Sequence, residues 1–181
     1  MRLFVGVFPP PAARDDLARA VAGLHVATAA VNTRLVPPER RHVTLAFLGE
    51  VDEHRLPAAA DALTGVAVEP PELRIAGGGR FGRGRFTLLW AGVDGDLDPL
   101  AGAVRAALRR ARLPFDRKPF RPHLTLARPG DRLTREQVDA DRDALGRYAG
   151  PPWTAGEIAL VESRNGPHPG YEVRAVGRLS G

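Results

Sequence analysis

Alternating apolar and polar positions mark strands along this chain, and three- and four-residue spacings mark helices. Residues 2–8 alternate with apolar side chains on both faces, Leu3, Val5 and Val7 against Phe4 and Phe8, as in a central strand. Pro9-Pro10-Pro11 ends that run, and residues 12–27 follow as an amphipathic helix with Leu17, Val21 and Leu24 at helical spacing. Residues 33–38 are extended, and a strand runs from His42 until Gly49 stops it. Residues 51–63 predict a second helix, with Pro57 marking a later start. Residues 72–76 and 85–93 predict strands joined by a flexible hairpin loop over residues 77–84. The clearest helix covers residues 97–113, with Leu100, Val104, Ala107, Leu108 and Ala111 as its apolar stripe. A further strand begins at His123. Thr134 and Gln137 form a capping signal for a helix over residues 134–148, and Gly150-Pro151-Pro152 reads as a break. Residues 153–161 and 171–179 predict a final antiparallel pair. This order predicts an α+β fold, residues 1–181 forming a single domain of two lobes related by a pseudo-twofold axis.

The pattern contains one phrase twice. His42-Val43-Thr44-Leu45-Ala46 returns as His123-Leu124-Thr125-Leu126-Ala127, displaced by 123 − 42 = 81 residues. In a strand, residues two apart share a face. His42 and Thr44 then share one face, with Val43, Leu45 and Phe47 on the other, while His123 and Thr125 oppose Leu124 and Leu126. Two such strands side by side surround one ligand with two imidazoles and two hydroxyls. That set suits a phosphodiester: one His as base, one as acid, and hydroxyls donating to phosphoryl oxygens. A lone His-x-Thr is most simply structural; a duplicated one with its polar pair in phase is not.

Composition narrows the chemistry. The chain has no cysteine, which excludes disulfides, thiolate metal sites and cysteine nucleophiles. The apolar run at residues 3–8 is too short for a signal peptide, and no stretch could span a bilayer, so a cytoplasmic protein with no membrane partner is expected. The net charge of +5 favours a polyanion such as RNA. That support is weak, because Lys118 is the only lysine and abundant arginine, alanine, glycine and proline also follow from genomic base composition. Gly77, Gly79 and Gly82 formally spell G-x-G-x-x-G, but a strand follows instead of a helix, which rejects a dinucleotide site. Arg80, Arg83 and Arg85 could touch a nucleic-acid backbone. Arg40 or Arg41 could meet phosphate, although solvated cations are the simpler reading, and His25, His54 and His168 read as structural or surface residues. Only Ser163 and Ser180 are present, without a nucleophile-elbow phrase, and no His-Glu-x-x-His occurs.

Three stretches together carry a resemblance that covers nearly the whole chain. They are Arg2-Leu3-Phe4, the run from His42 to Gly49, and Pro119-Phe120-Arg121-Pro122-His123-Leu124-Thr125-Leu126-Ala127-Arg128. In them the sequence resembles the two-histidine phosphoesterase superfamily, and within it the bacterial and archaeal RNA 2′,3′-cyclic phosphodiesterases, once called 2′-5′ RNA ligases. The resemblance implies two α+β lobes with antiparallel sheets lining a central cleft. It implies opening of a terminal 2′,3′-cyclic phosphate on RNA to a 2′-phosphate without metal; a monomer with no cofactor is expected. His42 would protonate the departing 3′ oxygen, His123 would activate water, and Thr44 and Thr125 would hold the non-bridging oxygens. An arginine five residues past the second His belongs to the family's phosphate site, and Arg128 stands there. Strict alternation turns Arg128 away from His123, so it reaches phosphate only if the strand ends or bulges near Ala127. Alternatives are a superfamily enzyme acting on 2′-5′ oligonucleotides or another cyclic nucleotide, and a non-catalytic RNA-binding module.

Overall fold

The computed structural model describes residues 1–181. Its strands are β1 (Arg2–Val7), β2 (Val43–Glu50), β3 (Glu72–Phe81), β4 (Leu88–Asp94), β5 (His123–Ala127), β6 (Ala149–Thr154), β7 (Glu157–Arg164) and β8 (Gly170–Arg178). Its helices are α1 (Pro11–Ala22), α2 (His25–Thr28), α3 (Leu56–Thr64), α4 (Asp98–Arg110) and α5 (Arg135–Gly146). All eight strands form one antiparallel sheet in the order β6-β3-β4-β5-β2-β1-β7-β8. The two copies of the repeated phrase, β2 and β5, meet at its centre through a single register pair, Val43 opposite Leu124. These two residues are themselves 124 − 43 = 81 apart, so the pseudo-twofold axis passes between them. Outward from the seam, β1 answers β4, β7 answers β3, and β8 answers β6.

The α+β class, the antiparallel strands and the paired halves follow the sequence pattern, with the two sheets continuous across that one seam. Helices cover the face that carries Leu3, Val5, Leu45 and Leu124, all fully buried. The longest, α4, buries Leu100, Ala101, Val104, Ala107 and Leu108, its predicted stripe. None is long and apolar enough to cross a membrane.

Four stretches differ from the pattern. The helix over residues 12–27 breaks at Gly23. Its last turn is a separate piece, α2, whose first amides, those of His25 and Val26, donate to the buried Asp141 carboxylate at 2.7 and 3.0 Å. The second helix starts at Leu56, with Pro57 in its first turn, as the proline indicated. The supposed loop over residues 77–84 is mostly strand: β3 runs on to Phe81, Gly82 to Thr87 turn the hairpin, and the next strand starts at Leu88 rather than at residue 85. Two of its glycines, Gly78 and Gly79, permit close packing. A Cβ on Gly78 would lie 2.6 Å from the Trp90 carbonyl oxygen, and one on Gly79 would lie 2.7 Å from the Trp90 ring. Finally, Gly150-Pro151-Pro152 belongs to β6, an edge strand where a missing N–H is tolerated.

Candidate active site

Two matching bulges build the site. Val5 pairs with Ala46 and Gly6 with Thr44, which leaves Leu45 as the extra residue in β2. Leu89 pairs with Ala127 and Trp90 with Thr125, which leaves Leu126 as the extra residue in β5. Leu45 and Leu126 occupy the same place in the repeat, being 126 − 45 = 81 apart. Each bulge inverts side-chain parity beyond it. The consequence corrects one expectation: Phe47 lies in the cleft with His42 and Thr44, not on the core face. It also settles the parity of Arg128, the counterpart of Phe47, which enters the same cleft.

That cleft, about 570 Å³, is lined by His42, Thr44, His123, Thr125 and Arg128 together. The structure therefore brings all five sequence-predicted site residues to one concavity. The two imidazoles are clamped alike. His42 Nδ1 lies 2.7 Å from the Arg40 carbonyl oxygen and His123 Nδ1 lies 2.6 Å from that of Arg121, each two residues upstream. A carbonyl only accepts, so each Nδ1 carries the proton and donates it, leaving Nε2 for chemistry. His42 Nε2 and Thr44 Oγ1 are 3.0 Å apart.

Their surroundings differ. His42 stacks on Phe4 and Phe8, with ring centroids 4.4 and 5.1 Å away, and meets Tyr171 edge-on. Burial pushes its pKa below 6.5; the Arg40 carbonyl opposes this and the charge of His123 adds to it. His123 is edge-on to Phe81 at 5.0 Å and to Trp90 at 6.2 Å. Four cations, Arg2, Arg40, Lys118 and Arg128, line the cleft against one carboxylate, Asp116, which Lys118 meets at 3.8 Å. Tyr171 lies among them: burial raises its phenol pKa, while Arg40, Arg128 and Arg2 pull the other way. The site suits a compact anion flanked by a proton donor and a proton acceptor. No three of the His, Asp and Glu side chains gather where they could hold a metal ion.

Several cleft residues were not singled out from the sequence. Arg2 and Phe4 share one parity on β1, continued just past its end by Phe8 against the His42 ring, and the pairing of β1 with β2 would have revealed them. Tyr171 and Lys118 come from distant segments with no local signal. Arg40 is no idle solvated cation: its guanidinium donates to the Pro169 carbonyl at 3.0 Å and lies over the Tyr171 ring. Arg41 is not solvated either. It is buried at 3% exposure, its Nε donates to the Val36 carbonyl at 3.0 Å, and burial lowers its pKa. His25, His54 and His168 are exposed and away from the cleft.

Known proteins match this arrangement. The family described as LigT like Phosphoesterase matches the chain twice, over residues 7–87 and 91–171, one match for each copy of the repeated phrase. A relative from Archaeoglobus fulgidus named RNA 2′,3′-cyclic phosphodiesterase is 34% identical over 131 residues, 71% of this chain and 72% of that protein. One of the same name from Geobacillus stearothermophilus is 33% identical over 81% of this chain, but the match spans only 48% of that longer protein. Among solved structures, TT0787 of Thermus thermophilus superposes with a TM-score of 0.77 at 30% identity, covering 99% of this chain and 98% of that one. E. coli LigT complexed with NADP+ shares the fold, with a TM-score of 0.75 at 22% identity over 98% of this chain and 97% of that one. Both halves of the chain thus belong to the LigT-like phosphoesterases, a two-histidine family, and so does the protein they form.

Proposed function

We propose that this phosphoesterase hydrolyses a terminal 2′,3′-cyclic phosphate on RNA to a 2′-phosphate, with His42 and His123 as its acid and base. The observation that carries this reading is the pair of matching clamps: in one cationic cleft, two imidazoles hold Nδ1 on carbonyls and turn Nε2 outward. The names of relatives at 33–35% identity support the substrate class.

His123 Nε2 takes a proton from water, and the water oxygen attacks phosphorus. The bond from phosphorus to the 3′ oxygen breaks, and His42 gives its Nε2 proton to that oxygen. The products are a 2′-phosphate and a 3′ hydroxyl, and the rings exchange their protons with solvent. Thr44, Thr125 and Arg128 donate to the non-bridging oxygens, where charge builds. Burial disfavours a charged His42 in the free enzyme. The bound phosphodiester anion reverses this by favouring the imidazolium, so substrate itself charges the acid.

The test is an RNA oligomer ending in a 2′,3′-cyclic phosphate, incubated in excess EDTA, with the released end identified. A 2′-phosphate formed at full rate is expected, and activity lost to chelator and restored by zinc would reject the scheme. His42→Ala and His123→Ala should each cost about 10²- to 10⁴-fold in kcat, the range for a positioned acid or base. Near-normal turnover in either variant refutes the paired roles, and tight RNA binding without turnover would favour a binding module.

A further inference from the structure

A second concavity is lined by none of the cleft's residues but by neighbours of theirs along the chain. It measures about 340 Å³ and sits at the tip of the β3–β4 hairpin, against the first turn of α5. Arg80, Arg83 and Arg135 line it together with one carboxylate, the exposed Asp131. Neither Arg80 nor Arg83 forms an ion pair, and Arg135 reaches only Asp139, at 4.0 Å. Three like charges thus share one hollow with a single carboxylate that pairs with none of them, a costly arrangement for a surface with no anionic partner. The N-terminus of α5 adds its positive end to the same hollow.

Chain neighbours link it to the active cleft. Arg128 lines the cleft, and Gly130, two residues on, lines the hollow, a span of at most about 7 Å of chain. Phe81 packs on the His123 ring, and its neighbour Arg80, on the opposite face of β3, lines the hollow, so the hairpin tip separates the two. At the lip, Phe86 is 70% exposed, the most exposed large apolar side chain of the protein, with the Arg85 guanidinium 4.9 Å above its ring. Arginines around an exposed aromatic ring are what single-stranded RNA needs: cations for the backbone and a face for a base.

We propose that this hollow binds a backbone phosphate of the RNA chain upstream of the cyclic end, with Phe86 stacking a base at its lip. It rests on the reading of the cleft given above and makes the preferred substrate an oligomer rather than a cyclic mononucleotide. Arg83→Glu/Arg135→Glu, and separately Phe86→Ala, change exposed side chains. Each is assayed on a short RNA oligomer with a 2′,3′-cyclic end and on 2′,3′-cyclic AMP. The double variant should lower kcat/KM for the oligomer about tenfold more than for the mononucleotide. Its salt dependence should be shallower by about 0.7 in log–log slope for each phosphate that the variant no longer neutralises. Phe86→Ala should act in the same direction without changing that slope. Equal losses on both substrates, or an oligomer rate that none of the variants alters, overturns the proposal. Wild-type enzyme that turns over neither substrate refutes the reading of the cleft instead. Anisotropy of a labelled oligomer then decides the hollow: weaker binding by the double variant supports it, and unchanged binding overturns it.

Discussion

His42 ties the site to pH. Its ring lies between Phe4 and Phe8, and burial holds its pKa below 6.5. The unfolded chain, with the ordinary value, therefore binds more protons as pH falls through 6.5. The stability present above that value is lost progressively until pH passes below the folded pKa. His42→Gln removes the effect, so wild type should lose more thermal stability than the variant between pH 7.5 and 5, and equal losses would contradict the shift. Anion binding runs the linkage backwards: inorganic phosphate should bind with proton uptake and more tightly at lower pH, read by calorimetry in two buffers of different ionisation enthalpy. Arg128 was legible as a phosphate ligand only through family resemblance, because strict alternation turned it away; the bulge at Leu126 turns it back. Its counterpart, Phe47, carries no charge, so this position of the repeat supplies a guanidinium to the cleft from one half only. Arg128→Ala should lower kcat/KM about ten- to hundredfold, the worth of a charged hydrogen bond, mostly through KM.

At the scale of elements, the strands flanking the two copies of the repeated phrase come close enough to need glycine. Gly92 pairs with His123, and a Cβ there would lie 2.6 Å from the Ala76 carbonyl oxygen. Gly6 pairs with Thr44, and a Cβ there would lie 3.0 Å from the Val43 carbonyl oxygen and 3.2 Å from His42 Cδ2. The first clash is with fixed backbone, so Gly92→Ala should cost about 1–3 kcal/mol of stability, as overpacking does. The second is partly with the imidazole. Gly6→Ala should cost less stability but about tenfold or more in kcat, through a displaced acid. A larger loss of stability in Gly6→Ala than in Gly92→Ala, by chemical denaturation, would invert the assignment. Strands with regular alternation and the helix α4 were readable from periodicity because one face of each meets the core. The bulges, the strand character of Gly77 to Phe81 and the break before α2 were not. Each depends on a distant partner: the register of β1 or β4, the Trp90 ring, and the Asp141 carboxylate.

Over the whole molecule, the two halves exchange helices. The helix α1 follows β1, a strand of the half containing β2, yet it packs on β6 and β3 of the other half. Its counterpart α4 follows β4 and packs on β2 across the seam. The strands β2 and β5 join the halves weakly, through the single pair Val43 and Leu124, to which residues 33–36 add a bridge from Leu35 to Ala127. The crossed helices complete the union: Leu17 and Val21 of α1 fill the core of one half, and Leu100, Val104 and Leu108 of α4 that of the other. Both lobes should then fold as a single cooperative unit, despite the internal repeat. The contiguous fragment of residues 70–155 holds β3, β4, β5 and β6 with α4 and α5. It lacks α1 to cover its sheet, and it leaves the apolar stripe of α4 without the partner half. Calorimetry of the full chain should show one transition, and the fragment should give no cooperative melt by circular dichroism. Two separated transitions, or a fragment that melts sharply alone, would mean that each half is stable by itself and that the catalytic cleft is a hinge between domains rather than a seam within one.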